Sequence, residues 1–260
     1  MLVNKIYDRS RAYRYARKWA FSRNPLFNDY SELGGNCTNF VSQCIYAGSC
    51  VMNFTPVLGW YFLSDTNRTA SWTGVQFFYD FITKNQGVGP YGIESASDKL
   101  EVGDVIQLGR ENEGYYHTLL VVGATDGVYT VSAQSKDAFD RPLNTYEYDF
   151  ARYIHIEGVR IDVRGFEDCY DAVYNGTGIV INGSIPGTMN NSQNQMQESP
   201  GQIPQEAPLP NPEGNPSQSQ PESPPPSPEG NPSQSQPESP PPSPEETPPQ
   251  GPSESPPPSP

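Results

Sequence analysis

Two hydrophobic periods divide this chain. Over Arg9 to Ser22, Ala12, Tyr13, Ala16, Trp19 and Ala20 form an apolar stripe while Arg9, Arg11, Arg14, Arg17 and Lys18 face the other way. That pattern predicts a helix capped by Asp8 and broken by Asn24-Pro25. Phe40, Val41, Cys44 and Ile45 share a face at steps of three and four. They predict a short second helix that opens at Cys37, just after Gly34-Gly35, and closes at Gly48. A third helix, apolar at Val75, Phe78, Tyr79 and Ile82, is expected from Ser71 or Trp72 to between Asn85 and Gly87.

From Leu100 onward the pattern becomes extended. Leu100 to Leu108 reads as a turn followed by a strand, and Tyr115 to Gly123 as a strand whose inner part is continuously apolar. Asp126-Gly127 makes a tight hairpin into the strand from Val128 to Gln134. A last strand covers Arg152 to Ile156, and Tyr146 to Tyr148 is a candidate for another. Helices first and an antiparallel meander afterwards predict an α+β fold.

Composition changes the picture at the C-terminal end. Of 29 prolines only five precede Ser199, so the last 62 residues hold 24 of them and have almost nothing apolar to bury. From Pro212 a 16-residue unit repeats: Pro212 to Ser227 and Pro228 to Ser243 are identical, and a diverged third copy begins at Pro244. With nothing apolar to stack, the repeat is expected to be a disordered, polyproline-like spacer that contacts proline-binding partners. Residues 165 to 198 include Phe166, Tyr170, Val173, Tyr174 and the run Gly178 to Ile181, enough for an edge strand or a strap. The expected organisation is a domain over residues 1–164, a strap or linker over 165–198 and a repeat tail over 199–260.

The net charge of −14 belongs to the C-terminal part, since residues 1–164 carry 18 Asp and Glu against all 16 Lys and Arg. No basic stripe suits a phosphate backbone, so nucleic acid is not an expected partner. Cys37, Cys44, Cys50 and Cys169 match no metal-ligand spacing, and with two histidines no structural metal or cofactor is expected. A disulfide scaffold is not expected in a domain of this size either. The N-terminus turns charged at Lys5, too early for a secretory signal, and no run approaches the roughly 20 apolar residues of a membrane span. By sequence the expected location is cytoplasmic.

Chemistry concentrates at Cys37. A thiol in the first turn of a helix sits beside unpaired N–H groups and the positive end of the helix dipole, so its pKa is expected to fall. Cys44, seven residues on along the apolar face, has the setting of a core cysteine. His117, one step before a buried run, can hold its ring at the sheet edge; His155, between Ile154 and Ile156, has the same neighbourhood. Asn36 and Asn39 beside the thiol, Trp60 in an aromatic-rich stretch and Tyr116 beside His117 are the expected substrate contacts.

The motifs Arg23-Asn24-Pro25, Gly35-Asn36-Cys37-Thr38-Asn39-Phe40-Val41-Ser42-Gln43-Cys44, Gly59-Trp60-Tyr61, Ser71-Trp72-Thr73-Gly74-Val75 and Gly103-Asp104-Val105-Ile106-Gln107-Leu108, with His117 opening its strand, resemble the putative amidase domain family. That family lies within the papain-like group that includes the NlpC-type and CHAP cell-wall hydrolases. The resemblance covers most of residues 7 to 156. It implies a cysteine at a helix start packed on an antiparallel sheet, a histidine base from the sheet and a third polar residue on the following strand. Asn36 stands where the family usually has Asp, and Gln134 where it usually has His. For the third residue the candidates are Gln134 and Asp137, with Gln134 favoured because it belongs to the strand. The implied activity is cysteine-dependent hydrolysis of an amide or peptide bond, on a peptide or peptidoglycan-like substrate, at the cell wall by analogy with the group. A non-catalytic papain-like module that binds peptide or wall fragments is the alternative.

Overall fold

In the computed structural model, described for residues 1–164 and 166–182, the chain is an α+β domain built on a seven-stranded sheet. Strand β1 (Leu2–Lys5) leads into helix α1 (Arg9–Trp19) and helix α2 (Cys37–Ser49). A small hairpin of β2 (Phe62–Ser64) and β3 (Asn67–Arg68) precedes α3 (Ala70–Thr73) and α4 (Val75–Lys84). Then follow β4 (Gly89–Ser95), β5 (Val105–Arg110), β6 (Gly114–Thr125), β7 (Val128–Ala133), β8 (Ala138–Pro142), β9 (Phe150–Asp162) and a last helix, α5 (Tyr170–Asn175). The main sheet has the order β1-β9-β5-β6-β7-β8, with β4 also on β9, and every pair is antiparallel.

Both faces of the sheet are covered, which explains the unbroken apolar run in β6. Leu120 and Val122 join the large core with α1, α2 and α4, whereas Leu119 and Val121 join a smaller core with Ile106, Leu108, Val131 and Ala133. All thirteen residues of α2 are buried, so this helix lies inside the domain instead of presenting one face to water. Burying a Leu-sized side chain contributes about 1.5–3 kcal/mol, so α2 anchors the fold as well as carrying Cys37.

Several sequence expectations shift. Helix α1 stops three residues short of Ser22, and α2 runs through Gly48 to a left-handed Cys50 at φ 58°. Gly48 is needed for another reason: a Cβ there would collide with the Tyr7 ring. The third expected helix is two, because Gly74 is extended between α3 and α4. No strand forms at Tyr146–Tyr148, where a 3-10 turn over Leu143–Thr145 ends instead. Strands β1, β4 and β8 carried too little alternation to be foreseen.

A disulfide joins Cys50 to Cys169 across 119 residues, which the cysteine spacing did not lead one to expect. It fastens the segment after β9 to the end of α2. Closing a loop of that length contributes about 4–5 kcal/mol in the chain-entropy account. The segment also docks through Trp19 Nε1–H donating to Tyr174 O at 3.1 Å and Tyr46 Oη–H donating to Val180 O at 2.6 Å. The expected repeat tail, and half of the expected strap, lie outside the described residues.

Candidate active site

Helix α2 begins without a side-chain cap. Gly34 and Gly35, at φ +104° and +114°, turn the chain into it through backbone angles that side chains with a Cβ rarely adopt. Asn36 occupies the capping position, yet its Oδ1 accepts from Tyr30 N–H at 3.1 Å and Asn39 Nδ2–H at 2.8 Å. Asp8, by contrast, caps α1 by accepting the Arg11 N–H at 3.0 Å. The first-turn N–H groups of α2 are left beside the Cys37 thiol.

Cys37 is 7% exposed. Burial pushes its thiol up from the ordinary cysteine value, and hydrogen bonds from the Thr118 backbone, the Thr38 hydroxyl and the Thr38 and Cys37 backbone offset this only in part. The expected fall in pKa is therefore overturned. The helix terminus is present, but removal of water outweighs it.

His117 is half-buried just before the buried part of β6, and the next residue ties that strand to α2, Thr118 Oγ1 lying 2.9 Å from Thr38 Oγ1. Its ring is stacked with Tyr116 (centroids 6.0 Å apart, planes at 10°) and tilted against Tyr146 at 5.9 Å. Arg110 covers Tyr116 at 4.7 Å and Arg141 covers Tyr146 at 4.1 Å, so the imidazole sits mid-way along a ladder with a guanidinium at each end. Burial first, then the positive charges of Arg141 and Lys136, push the His117 pKa down to about 4. Among the described residues no group hydrogen-bonds its ring. Cys37 and His117 line one cavity of about 430 Å³, together with Tyr116.

The other expected site residues stand elsewhere. Gln134 is buried with both amide N–H groups donating, to Trp19 O at 2.7 Å and Ser22 O at 2.9 Å, while its Oε1 accepts from Asn36 Nδ2 at 2.5 Å. It ties the end of α1 to the start of α2 and makes no bond to His117. Asp137 is held by Arg23 through two bonds of 2.9 and 3.0 Å, also away from His117. The two departures from the family pattern, Asn36 and Gln134, thus contact each other. Asn39 is fully buried, with its Nδ2 donating to Asn28 O and its Oδ1 accepting from Trp72 Nε1. Trp60 is core, 4.6 Å from Trp72 by centroids, with Nε1–H donating to Ser42 Oγ. Of the four expected substrate contacts, Tyr116 alone lines the cavity.

Sequence reasoning missed Ser135, Lys136, Arg141 and Tyr146, which line the same cavity. Strand β8 delivers Arg141 and the turn after it Tyr146, and β8 had no readable alternation. Among the described residues no cluster of three or more His, Cys, Asp or Glu side chains is close enough to hold a metal ion, and no helix is long and apolar enough to cross a membrane.

Over 137 residues the chain is 34% identical to Uncharacterized protein YhbB of Bacillus subtilis (strain 168), a stretch covering 51% of this chain and 42% of that protein. The chain thus spans less than half the length of this relative. No solved structure matches it. The model of the family described as "Putative amidase domain" matches residues 6–156, from the end of β1 through both histidines. The fold that brings Cys37 and His117 into one cavity is contained in that match, and the chain belongs to this family.

Proposed function

We propose that this protein is a cysteine-dependent amidohydrolase of the papain-like kind, with Cys37 as nucleophile and His117 as its base. The observation that carries this reading is that Cys37, at the uncapped start of a buried helix, and His117, near the start of β6, line one cavity. With the thiol raised and the imidazole lowered, the resting pair is neutral. His117 takes the thiol proton as sulfur attacks the amide carbonyl, then returns it to the leaving amine. Water hydrolyses the resulting thioester. The Cys37 N–H at the helix start supplies a donor for the oxyanion.

Peptides or peptidoglycan stems are the substrate this reading favours, by analogy with the wall hydrolases of the wider papain-like group. A disulfide at Cys50–Cys169 supports an oxidising setting outside the cytoplasm, such as the cell wall. The repeat tail would then contact proline-binding partners. The burial of Cys37 favours one other reading, a non-catalytic module that binds such peptides in the same cavity.

One experiment separates the two. Purified wall fragments and model peptides are incubated with wild type and Cys37→Ala, and products are identified by mass spectrometry. New amine and acid termini formed by wild type alone are expected. Binding without products by both proteins would overturn the hydrolase reading and leave the module.

A further inference from the structure

The charges around the cavity are unbalanced. Arg110, Lys136 and Arg141 line it against one acid, Glu147. Arg110 has a carboxylate partner, Glu113 at 3.3 Å. Arg141 has none within ion-pair distance among the described residues. Its Nε donates to Thr145 Oγ1 at 2.7 Å and its Nη2 to Thr145 O at 2.8 Å, while the Tyr146 ring backs its plane. The guanidinium is thus oriented by Thr145 and the Tyr146 ring without a carboxylate. Lys136 likewise has no ion-pair partner among the described residues. Beside them the Tyr146 hydroxyl is buried close to the Arg141 guanidinium but without a hydrogen bond of good geometry.

An oriented, half-buried guanidinium with no counter-ion, next to a lysine and a buried hydroxyl, is the donor set that a carboxylate satisfies. We propose that the cavity binds a peptide carboxylate close to the scissile amide, with Arg141 and Lys136 as its specificity-determining residues. This rests on the amidohydrolase reading for its link to catalysis, but the binding itself does not require turnover.

The arrangement gives the carboxylate a second effect. The groups against His117 are Tyr116 on its own strand, Tyr146 and Arg141 from the β8 side and Lys136 from the turn before β8; Cys37 from α2, Arg110 and Glu147 line the same cavity. Of these, Arg141 and Lys136 disfavour the imidazolium. A carboxylate bound between them offsets both charges and favours a protonated ring. The Cys37 proton then passes to His117 more readily when substrate is present than when the cavity is empty. A correct substrate thereby activates the nucleophile that attacks it.

The test uses the full chain and three probes: N-acetyl-Ala-Ala as free acid, its C-terminal amide, and N-acetyl-Ala-Glu-amide, which carries its carboxylate on a side chain. Affinity and the His117 titration are read by NMR on Cys37→Ala, so that no step depends on hydrolysis. At least one carboxylate probe should bind about tenfold or more tighter than the neutral amide, the scale of a charge-assisted hydrogen bond. It should also move the His117 pKa upward from about 4. Which probe does so tells a main-chain from a side-chain carboxylate. Arg141→Gln and Lys136→Gln should each shrink both effects, and Arg141→Lys should keep most of the pKa rise. Equal affinity for all three probes, no binding of either acid, or effects unchanged in both Gln variants would overturn the proposal. If wild type binds as expected yet cleaves no peptide, the hydrolase reading fails and the carboxylate site stands.

Discussion

His117 on β6 and His155 on β9 sit in one sheet on either side of β5, His117 just before a buried apolar run and His155 between two buried isoleucines, and the structure surrounds them with opposite chemistry. His155 Nδ1 lies 2.8 Å from Asp104 Oδ2, and Arg9 Nη2 approaches the same nitrogen at 3.4 Å. Asp104 is fully buried, pairs with Arg9 at 2.6 Å, and accepts the Ile156 N–H at 2.9 Å and the Glu101 N–H at 2.8 Å. This network joins α1 to β5 and β9, and His155 is a member of a latch. His117 has aromatic rings, two nearby cations and a cavity, with no carboxylate bonded to its ring among the described residues. One histidine is held by a buried carboxylate and the other lines a cavity. The chemistry of a histidine is decided by what other segments bring to it.

The largest expected effect follows directly. His117→Asn should lower amide-product formation by roughly a thousandfold, within the span of general-base catalysis, while His155→Asn should cost less than about tenfold. Rates of amine release from a peptide that wild type cleaves will tell. Equal losses would erase the distinction between base and latch.

Stability should show the opposite ranking. Asp104→Ala removes the acceptor of a buried ion pair and should cost about 3–5 kcal/mol in urea unfolding. Tyr146→Phe, beside His117, deletes a hydroxyl without a well-formed hydrogen bond and should change stability by less than about 0.5 kcal/mol. A costly Tyr146→Phe would mean that the cavity wall is a second latch.

Acid should sharpen the contrast further. Folding lowers the His117 pKa from 6.5 to about 4, so between those values the unfolded chain binds more protons than the folded one. Stability supplied by the neutral ring is fully present above pH 6.5 and is lost as pH falls towards 4. His117→Asn should flatten the fall in denaturation midpoint across that window. An unchanged slope would show that the ring is not desolvated.

The smallest effects concern the residues expected to orient His117. Gln134→Ala strips partners from Asn36 and two backbone carbonyls and should cost about 1–3 kcal/mol. Asp137→Asn breaks a partly exposed pair with Arg23 and should cost less than about 1 kcal/mol. Neither should move the His117 pKa measured by NMR. A shift with Gln134→Ala alone would restore it as the orienting residue.

The sequence by itself determined the start of α2 at Cys37, the hairpin at Asp126-Gly127, the β6 strand behind His117 and the α+β order. Each depends on short-range periodicity or turn chemistry, which a local stretch carries within itself. Strands β1, β4 and β8 were not readable for the same reason. β1 is four residues long, β4 contains Gly89, Pro90 and Gly92, and β8 bends through Asp140 at φ 59° before ending at Pro142. Their extension comes from pairing with a neighbour. Only the tertiary structure joined Cys50 to Cys169, turned Gln134 towards Asn36 and brought Arg141 and Lys136 to His117. It also reversed the expected pKa of Cys37. A helix terminus acts along a few bonds and can be read locally, whereas desolvation and the field of distant charges depend on how the whole chain excludes water.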